Sequence, residues 1–417
     1  MKVLKPFYYD NFKCVANECK ESCCSGWSID IDKKSYYKYK KVNGNFSEKL
    51  KRGISRNRAS VHNQKYGKMN IVANNGKCQF LNKENLCDLY INLGGDYLCN
   101  TCKAYPRVIE KYGHIYERNL CASCPVVAET LVKLTEPLNF LLTEETINDL
   151  DKEYLNENQK YNVKLYDILW KGRALSIEIA QVREIKLWKR LMFIVLSEEK
   201  IQKNICESLD KNIDDVIFTL KDAISDVKIN KILDNIKSVP KVKILFTNSI
   251  ISMNIRKNFS GDTFIRFINE FNEFISRETK IINSSDSIDK EGDFLRCINN
   301  YEKDFDNYIE NKEYILENYV VYNLYGNYMK ALYTKDLHRE IIRLVISYSL
   351  IKKMLIGRWI KNNKTLEEED FMDAIYSFSR KIEHNEQFIN RIYKNIKNAG
   401  YDSMAYLLML VKWIKCC

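Results

Sequence analysis

Residues 14–32 read CVANECKESCCSGWSIDID, and this stretch decides the character of the first third of the chain. It places four thiols within eleven residues, and Gly26 then permits a tight turn because glycine tolerates backbone angles that other residues avoid. The alternating apolar residues Trp27, Ile29 and Ile31 predict a short strand after that turn. So many thiols in a large chain without an export signal indicate metal ligands rather than disulfides. We therefore expect a loop-rich segment that is ordered by bound metal.

The remaining thiols of this segment come in pairs. Cys78 and Cys87 are predicted to flank a turn at residues 82–85, and each of the two later pairs has the CxxC spacing at which two sulfurs reach one metal. The candidate metal ligands are Cys14, Cys19, Cys23, Cys24, Cys78, Cys87, Cys99, Cys102, Cys121 and Cys124. They allow two four-ligand sites with two thiols left over, or one iron–sulfur cluster and one zinc, and spacing alone does not choose between them. His114 stands between the CxxC pairs, and we expect it to be a surface loop residue.

Charge is distributed very unevenly along the chain. The 417 residues carry a formal net charge of +11, and residues 1–125 hold 22 Lys and Arg against 11 Asp and Glu, which accounts for all of it. A basic frame stabilises thiolates, and the cations follow no nucleic-acid motif, so we do not expect a nucleic-acid partner. Residues 341–357 form the most apolar run, but Arg343 and two lysines interrupt it. We predict a buried core helix there, no membrane insertion and, without a signal peptide, a cytoplasmic location.

The rest of the chain has the periodicity of helices. Residues 126–142 predict a helix that Pro137 kinks or breaks, and apolar residues recur at three- and four-residue spacing from Tyr166 onward. Helices are predicted at Ile213–Val239, Phe264–Ile275, Phe294–Tyr308, Lys312–Tyr333, His338–Ile360, Glu367–Ile382, Glu386–Lys397 and Met404–Ile414. The predicted fold class is mainly α, with a loop-rich cysteine-cluster domain at 1–125 and an all-α domain at 126–417. The second domain has possible breaks near residues 240 and 285.

The usual nucleotide and hydrolase signatures are missing, and so is the CxxxCxxC triad of most radical S-adenosylmethionine enzymes. The cysteine motifs instead resemble those of the bacterial flagellin lysine N-methylases, whose N-terminal part is related to zinc- or iron-chelating cysteine-cluster domains. The resemblance rests on Cys14 through Asp32, on Cys78-Gln-Phe80-Leu81 and Cys87-Asp-Leu-Tyr90, and on the two CxxC pairs with Tyr105-Pro106-Arg107 and Pro125. Glu317-Asn318-Tyr319 is similar as well, although it is less diagnostic.

This resemblance implies methylation of lysine ε-amines on flagellin, with S-adenosylmethionine as methyl donor and a 4Fe-4S cluster, or alternatively zinc, in the cysteine region. The catalytic base and the donor-binding residues are unassigned. Tyr105 and Arg107 are candidates for cofactor contacts, but we expect Tyr105 and Pro106 to cap the ligand turn instead. A rival hypothesis is a non-enzymatic zinc- or iron-binding protein whose helical domain binds a partner protein. A third hypothesis, RNA binding by the basic segment, has less support.

Overall fold

A computed structural model of the chain describes residues 1–71, 76–155, 160–207, 213–226, 228, 231–233, 263–285, 287–383, 386–398, 400, 403 and 410–411. The chain divides into two compact units. The described residues of the first unit fall within Met1–Ala128 and Asn139–Gln159, and those of the second within Glu129–Leu138, Lys160–Asn254 and Thr263–Cys417. The predicted boundary at residue 125 and the predicted breaks near 240 and 285 stay predictions, and residue 240 lies outside the described residues.

The first unit combines short strands with short helices. Its strands are β1 (Lys2–Pro6), β2 (Asp30–Ile31), β3 (Ile54–Arg56), β4 (Gly67–Met69), β5 (Arg107–Tyr112), β6 (Ile115–Leu120) and β7 (Phe140–Glu144). Its helices are α1 (Lys33–Lys40), α2 (Ser47–Gly53), α3 (Asp88–Leu93), α4 (Asn100–Ala104) and α6 (Asp149–Tyr154), while α5 (Pro125–Lys133) leads out of it. Three-residue 3-10 turns at Tyr9–Asn11, Ala16–Glu18, Asn63–Lys65 and Gly95–Tyr97 join these elements.

Two sheets organise the first unit. The larger has the strand order β5-β6-β1-β7, in which β1 is parallel to β6 and antiparallel to β7. Strands β5 and β6 form a hairpin, and His114 lies exposed at its tip as expected. The smaller sheet has the order β2-β4-β3 and is antiparallel throughout. Strand β1 therefore depends on partners that follow it by more than 100 residues.

The smaller sheet covers an apolar core in which cysteines take part. Ile29, Ile31, Tyr39 and Phe80 are almost completely buried there. Cys78 and Cys99 belong to the same buried cluster, and Cys24, Cys87 and Cys102 pack against it while partly buried. These five thiols are thus held by the packing of the sheet and helices around them, and not by loops alone.

The described residues of the second unit form helices that are joined by turns and loops. Its helices are α7 (Val163–Ala180), α8 (Leu187–Glu207), α9 (Ile213–Ser225), α10 (Thr263–Asn283), α11 (Lys290–Tyr308), α12 (Glu313–Asn327), α13 (Ala331–Thr334), α14 (Leu337–Lys361), α15 (Glu368–Phe378) and α16 (Glu386–Asn398). Helix α14 is the central element, because nearly every residue from Glu340 to Gly357 is buried. The predicted core helix at 341–357 is therefore confirmed. No helix in the described ranges has the length and apolarity needed to cross a membrane.

The predicted fold class is confirmed, and two local predictions need correction. The helix predicted over residues 126–142 ends at Lys133, and Phe140–Glu144 form strand β7 because they pair with β1. The strand predicted from Trp27 to Ile31 is formed only at Asp30–Ile31, where β4 supplies a partner. The predicted helix Ile213–Val239 is present from Ile213 to Ser225. The predicted helix Met404–Ile414 lies, except at two positions, outside the described residues.

Candidate functional site

A cavity of about 1020 Å³ in the first unit collects most of the predicted ligands. Seven of the ten candidate cysteines line it, namely Cys14, Cys19, Cys23, Cys24, Cys87, Cys102 and Cys124. Cys78 and Cys99 lie instead in the adjoining apolar core, and Cys121 precedes Cys124 on the same turn. The fold therefore gathers thiols that are up to 110 residues apart in the sequence around one space.

The first four thiols of the chain lie on a loop that folds back on itself; they are Cys14, Cys19, Cys23 and Cys24. Gly26 has a φ of +84°, so the turn that the sequence predicts after the cysteines does need glycine. The Trp27 indole N–H donates to the Cys23 carbonyl over 2.6 Å, and the Cys78 amide donates to the Cys24 carbonyl over 2.7 Å. These bonds fix Cys23 and Cys24 beside the segment that carries the next thiol pair.

Cys78 and Cys87 are brought together by the turn that the sequence predicts between them. The side-chain oxygen of Asn82 accepts from the amides of Glu84 and Leu86, over 2.9 and 3.0 Å. Leu81 and Cys87 then face each other in an isolated bridge. Burial raises the pKa of the Cys78 thiol to about 11, so this sulfur would need a cation nearby to become a thiolate.

Cys99 and Cys102 form the most closely coupled thiol pair. Cys99 precedes the first turn of α4, and its sulfur is hydrogen-bonded to Cys102. That bond lowers the pKa of Cys99 and raises the pKa of Cys102 well above its usual value. The Cys99 sulfur also lies 3.7 Å from the Asp30 carbonyl oxygen. The CxxC spacing thus delivers what the sequence predicts, two sulfurs within reach of one another.

The second CxxC pair lies just before α5. The Cys124 amide donates to the Cys121 carbonyl over 3.0 Å, which closes a tight turn. Burial raises the pKa of Cys124 to about 11, and the neighbouring Cys19 and Cys14 thiols add to that rise. Cys124 therefore associates with the first two cysteines of the chain, while the thiol of Cys102 is near those of Cys24 and Cys87.

The donor type suits a metal, because thiols are the ligands that iron–sulfur clusters and structural zinc use. Within the described residues, however, no three His, Cys, Asp or Glu side chains stand in an arrangement that could hold a metal ion. The thiols fit such a group by chemistry and by being gathered in one region, but not as an assembled ligand set.

Aromatic and cationic residues complete the cavity wall. Trp27 and Tyr105 have ring centroids 5.7 Å apart at an interplanar angle of 36°. The hydroxyl of Tyr105 lies 3.2 Å from that of Ser123, so this side chain links the two CxxC turns, as its expected capping role requires. Arg107 also lines the cavity, and its guanidinium lies 5.1 Å from the centre of the Phe12 ring. The sequence points to these residues only by their closeness to cysteines.

In the second unit the tripeptide Glu317-Asn318-Tyr319 has a structural explanation. The Glu317 carboxylate is fully buried and accepts from Arg183 over 2.9 Å and from Arg190 over 2.6 Å. The Asn318 amide donates to the carbonyls of Leu131 and Leu134, which fixes the chain beyond α5. Tyr319 is completely buried. Ion pairs, hydrogen bonds and burial thus explain the three residues, and periodicity alone could not reveal the buried ion pairs.

Comparison with known proteins extends this picture to the whole chain. Residues 173–410 match the FliB lysine N-methylase C-terminal domain. Lysine-N-methylases of Salmonella choleraesuis and Salmonella typhimurium are each 23% identical over 97% of this chain and 98% of their own length. The flagellar biosynthetic protein FliU of Salmonella muenchen is 25% identical over 39% of this chain and 95% of its own length. No solved structure matches.

These similarities run through both units, from the cysteine-lined cavity to the helices around α14. The family domain covers 238 of the 417 residues, which is more than half of the chain. The chain therefore belongs to the FliB lysine N-methylase family.

Proposed function

We propose that this protein is a protein-lysine N-methyltransferase that methylates lysine side chains of flagellin, with S-adenosylmethionine as methyl donor. The observation that carries the proposal is similarity to proteins named lysine-N-methylase over 97% of the chain. A flagellar substrate is supported by the name of the FliU relative. Because the similarity is nearly full-length, both the thiol-lined cavity and the helical unit belong to the enzyme.

The reaction has simple chemical requirements. The substrate ε-amine must lose its proton, its lone pair then attacks the methyl carbon, and the carbon–sulfur bond breaks to leave S-adenosylhomocysteine. Placing the amine in line with the methyl group supplies much of the rate, because orientation replaces a bimolecular encounter. A base must accept the proton. The protein's task is therefore to bind both partners, exclude water and hold them in line.

We further propose that thiols from this set of ten hold a 4Fe-4S cluster, with zinc as the alternative. Support comes from seven thiols at one cavity and from the hydrogen-bonded pair Cys99 and Cys102. A cytoplasmic location belongs to the same proposal, since the twelve cysteines in the described residues are not joined in disulfides, as expected in a reducing compartment. When bound, a cluster of this kind supplies redox or Lewis-acid chemistry.

Mass spectrometry of flagellin tests the activity. Purified flagellin incubated anaerobically with the protein and S-adenosylmethionine is expected to gain methyl groups on lysines, and samples without the donor serve as the control. Unmodified flagellin after incubation with folded, anaerobically prepared protein would overturn the proposed activity.

Metal analysis tests the cofactor separately. Anaerobically purified protein is expected to contain iron and to absorb broadly at roughly 400 nm, as thiolate-bound iron–sulfur clusters do. A colourless protein with stoichiometric zinc and no iron would exclude the cluster and leave the methylation result untouched. Zinc together with unmodified flagellin would favour the non-enzymatic binding protein.

A further inference from the structure

The cavity of the first unit has features that the thiols do not explain. One part of its wall is aromatic, and its lining includes the cations Arg107 and Lys13 as well as the carboxylates Glu21 and Asp96. Its volume of about 1020 Å³ is at the upper end of the range for small-ligand sites. There is thus room for an organic ligand of substantial size.

The aromatic wall is held in place by polar bonds. The Trp27 indole is fixed by its 2.6 Å hydrogen bond to the Cys23 carbonyl, and Tyr105 by the 3.2 Å contact between its hydroxyl and that of Ser123. The two rings lie 5.7 Å apart, and neither is fully buried. A fixed and accessible aromatic surface is suited to a planar ring that stacks on it.

Two cations of the lining, Arg107 and Lys13, form no ion pair with the part of the chain that the structure describes. Arg107 is exposed, and its guanidinium is positioned by the Phe12 ring at 5.1 Å. Lys13, next to Phe12 in the chain, is exposed as well. The ion pairs among the described residues include neither of these two cations. A guanidinium that is oriented but unpaired is suited to a carboxylate, which it can bind through two parallel hydrogen bonds.

We infer that this cavity binds the methyl donor, a nucleoside joined to a zwitterionic amino acid. Its adenine stacks on the wall formed by Trp27 and Tyr105, and its carboxylate faces Arg107 and Lys13. The inference rests on the proposed function for the identity of the donor, whereas the location comes from the cavity. It gives Tyr105 and Arg107 the cofactor contacts for which the sequence makes them candidates, where capping of the ligand turn by Tyr105 and Pro106 was expected instead.

Binding of S-adenosylhomocysteine and of adenosine to the full-length protein tests the inference. Isothermal titration calorimetry on anaerobic protein compares the natural chain with Arg107→Met, Trp27→Ala, Trp27→Phe and the control Arg58→Met. Arg58 is an exposed cation of the same unit that does not line the cavity. Adenosine has the ring without the carboxylate, so the two ligands separate the two halves of the site.

Arg107→Met is expected to weaken S-adenosylhomocysteine binding about tenfold, the value of one charge-assisted interaction, and to leave adenosine binding unchanged. Trp27→Ala is expected to weaken both ligands roughly tenfold, while Trp27→Phe retains most of the affinity because a ring remains. Arg58→Met should bind like the natural chain. This pattern would support the inference at both ends of the ligand.

Other results would overturn the inference or the proposed function. If the natural chain binds S-adenosylhomocysteine and the Arg107→Met and Trp27→Ala variants bind it equally well, the donor site lies elsewhere, and methylation by this protein stands. If the natural chain methylates flagellin but binds neither ligand, the inference is also overturned. If it neither binds nor methylates, the proposed function fails first. Should Trp27→Ala unfold, Arg107→Met decides, because its exposed side chain leaves the core intact.

Discussion

At the scale of single residues, the Glu317 carboxylate of the helical unit is completely buried and ion-paired. It binds Arg183 and Arg190, and the Arg190 side chain is only 2% exposed. Replacing Glu317 with Ala leaves the Arg190 guanidinium buried and removes one of the anions that offset the cost of its burial. We expect a loss of about 3–5 kcal/mol in the free energy of unfolding, since removing one partner of a buried pair uncovers the desolvation cost of the other.

Chemical denaturation of the Glu317→Ala variant measures this loss. Glu310→Gln provides the control, because the pair between Lys186 and Glu310 spans 3.5 Å with both side chains at least half exposed. Exposed pairs of this kind contribute at most about 1 kcal/mol. Equal stabilities of the two variants would show that Arg190 is satisfied without Glu317.

Lys353 gives the helical unit a pH dependence. It is 4% exposed, and burial lowers its pKa to about 8, while Glu302 acts in the opposite direction. An unfolded lysine titrates near 10.4, so between the two pKa values the unfolded chain binds more protons and stability rises with pH. Below the folded pKa the full cost of burying the charge is present, on the order of 3 kcal/mol.

The variant Lys353→Met tests this directly, because methionine has a similar length without the charge. The free energy of unfolding of Lys353→Met is expected to exceed that of the natural chain by the largest amount at pH 7. Most of this difference is expected to disappear as the pH is raised to 10. Denaturant unfolding at both values measures the difference. A stability difference that does not vary with pH would mean that the pKa of Lys353 is the same in the folded and unfolded chain, as it would be for an ammonium group that remains solvated.

At the scale of elements, Asp32 links the sheet of the first unit to the thiols. One carboxylate oxygen accepts from the Ser35 amide over 2.7 Å and caps α1, and the other accepts from the Asn100 amide over 3.0 Å at the start of α4. Asp32 itself is almost completely buried. It therefore fixes the turn that carries Cys99 and Cys102.

Asp32→Ala is expected to lower the free energy of unfolding by about 2–4 kcal/mol, because two caps are lost together. Asp289→Ala is a suitable comparison, since the Asp289 side chain caps only α11, with 2.9 Å to the Gly292 amide, and is exposed. One exposed cap is worth about 1 kcal/mol. Thermal unfolding followed by circular dichroism compares them, and equal losses would contradict the double-cap interpretation.

The elements also show what the sequence can and cannot predict. Helices with a continuous apolar stripe, such as α14, follow from periodicity because their contacts repeat along the chain. Strand β7 could not be recognised, since its only signal is pairing with β1, more than 130 residues earlier. The same limit applies to the candidate site: spacing predicted that Cys99 and Cys102 lie close together, but not that Trp27, Tyr105 and Arg107 line a cavity with Cys102.

At the scale of the whole molecule, the first unit is not continuous in the sequence. Strand β1 lies between β6 and β7, and β7 follows the segment Glu129–Leu138, which belongs to the second unit. The Lys5 ammonium is 2.6 Å from the Glu145 carboxylate, and Arg118 is 2.9 Å from Asp151. Segment 139–155 thus supplies both a strand and the anions for two cations of the sheet.

Two fragments of the chain test this dependence. The fragment of residues 1–155 contains β7, Glu145 and Asp151, whereas the fragment 1–133 ends at the last residue of α5 and lacks all three. Both fragments contain α5, so they differ only in residues 134–155. We expect fragment 1–155 to unfold cooperatively and to resist proteolysis. Fragment 1–133 should be degraded at least tenfold faster, because β1 loses one partner strand and the buried Lys5 ammonium loses Glu145 and keeps only Asp10 as its anion. Together these losses remove roughly 2 kcal/mol or more. Equal protease resistance of the two fragments would show that the cysteine-rich unit is complete before Asn139, close to the boundary that the sequence predicts.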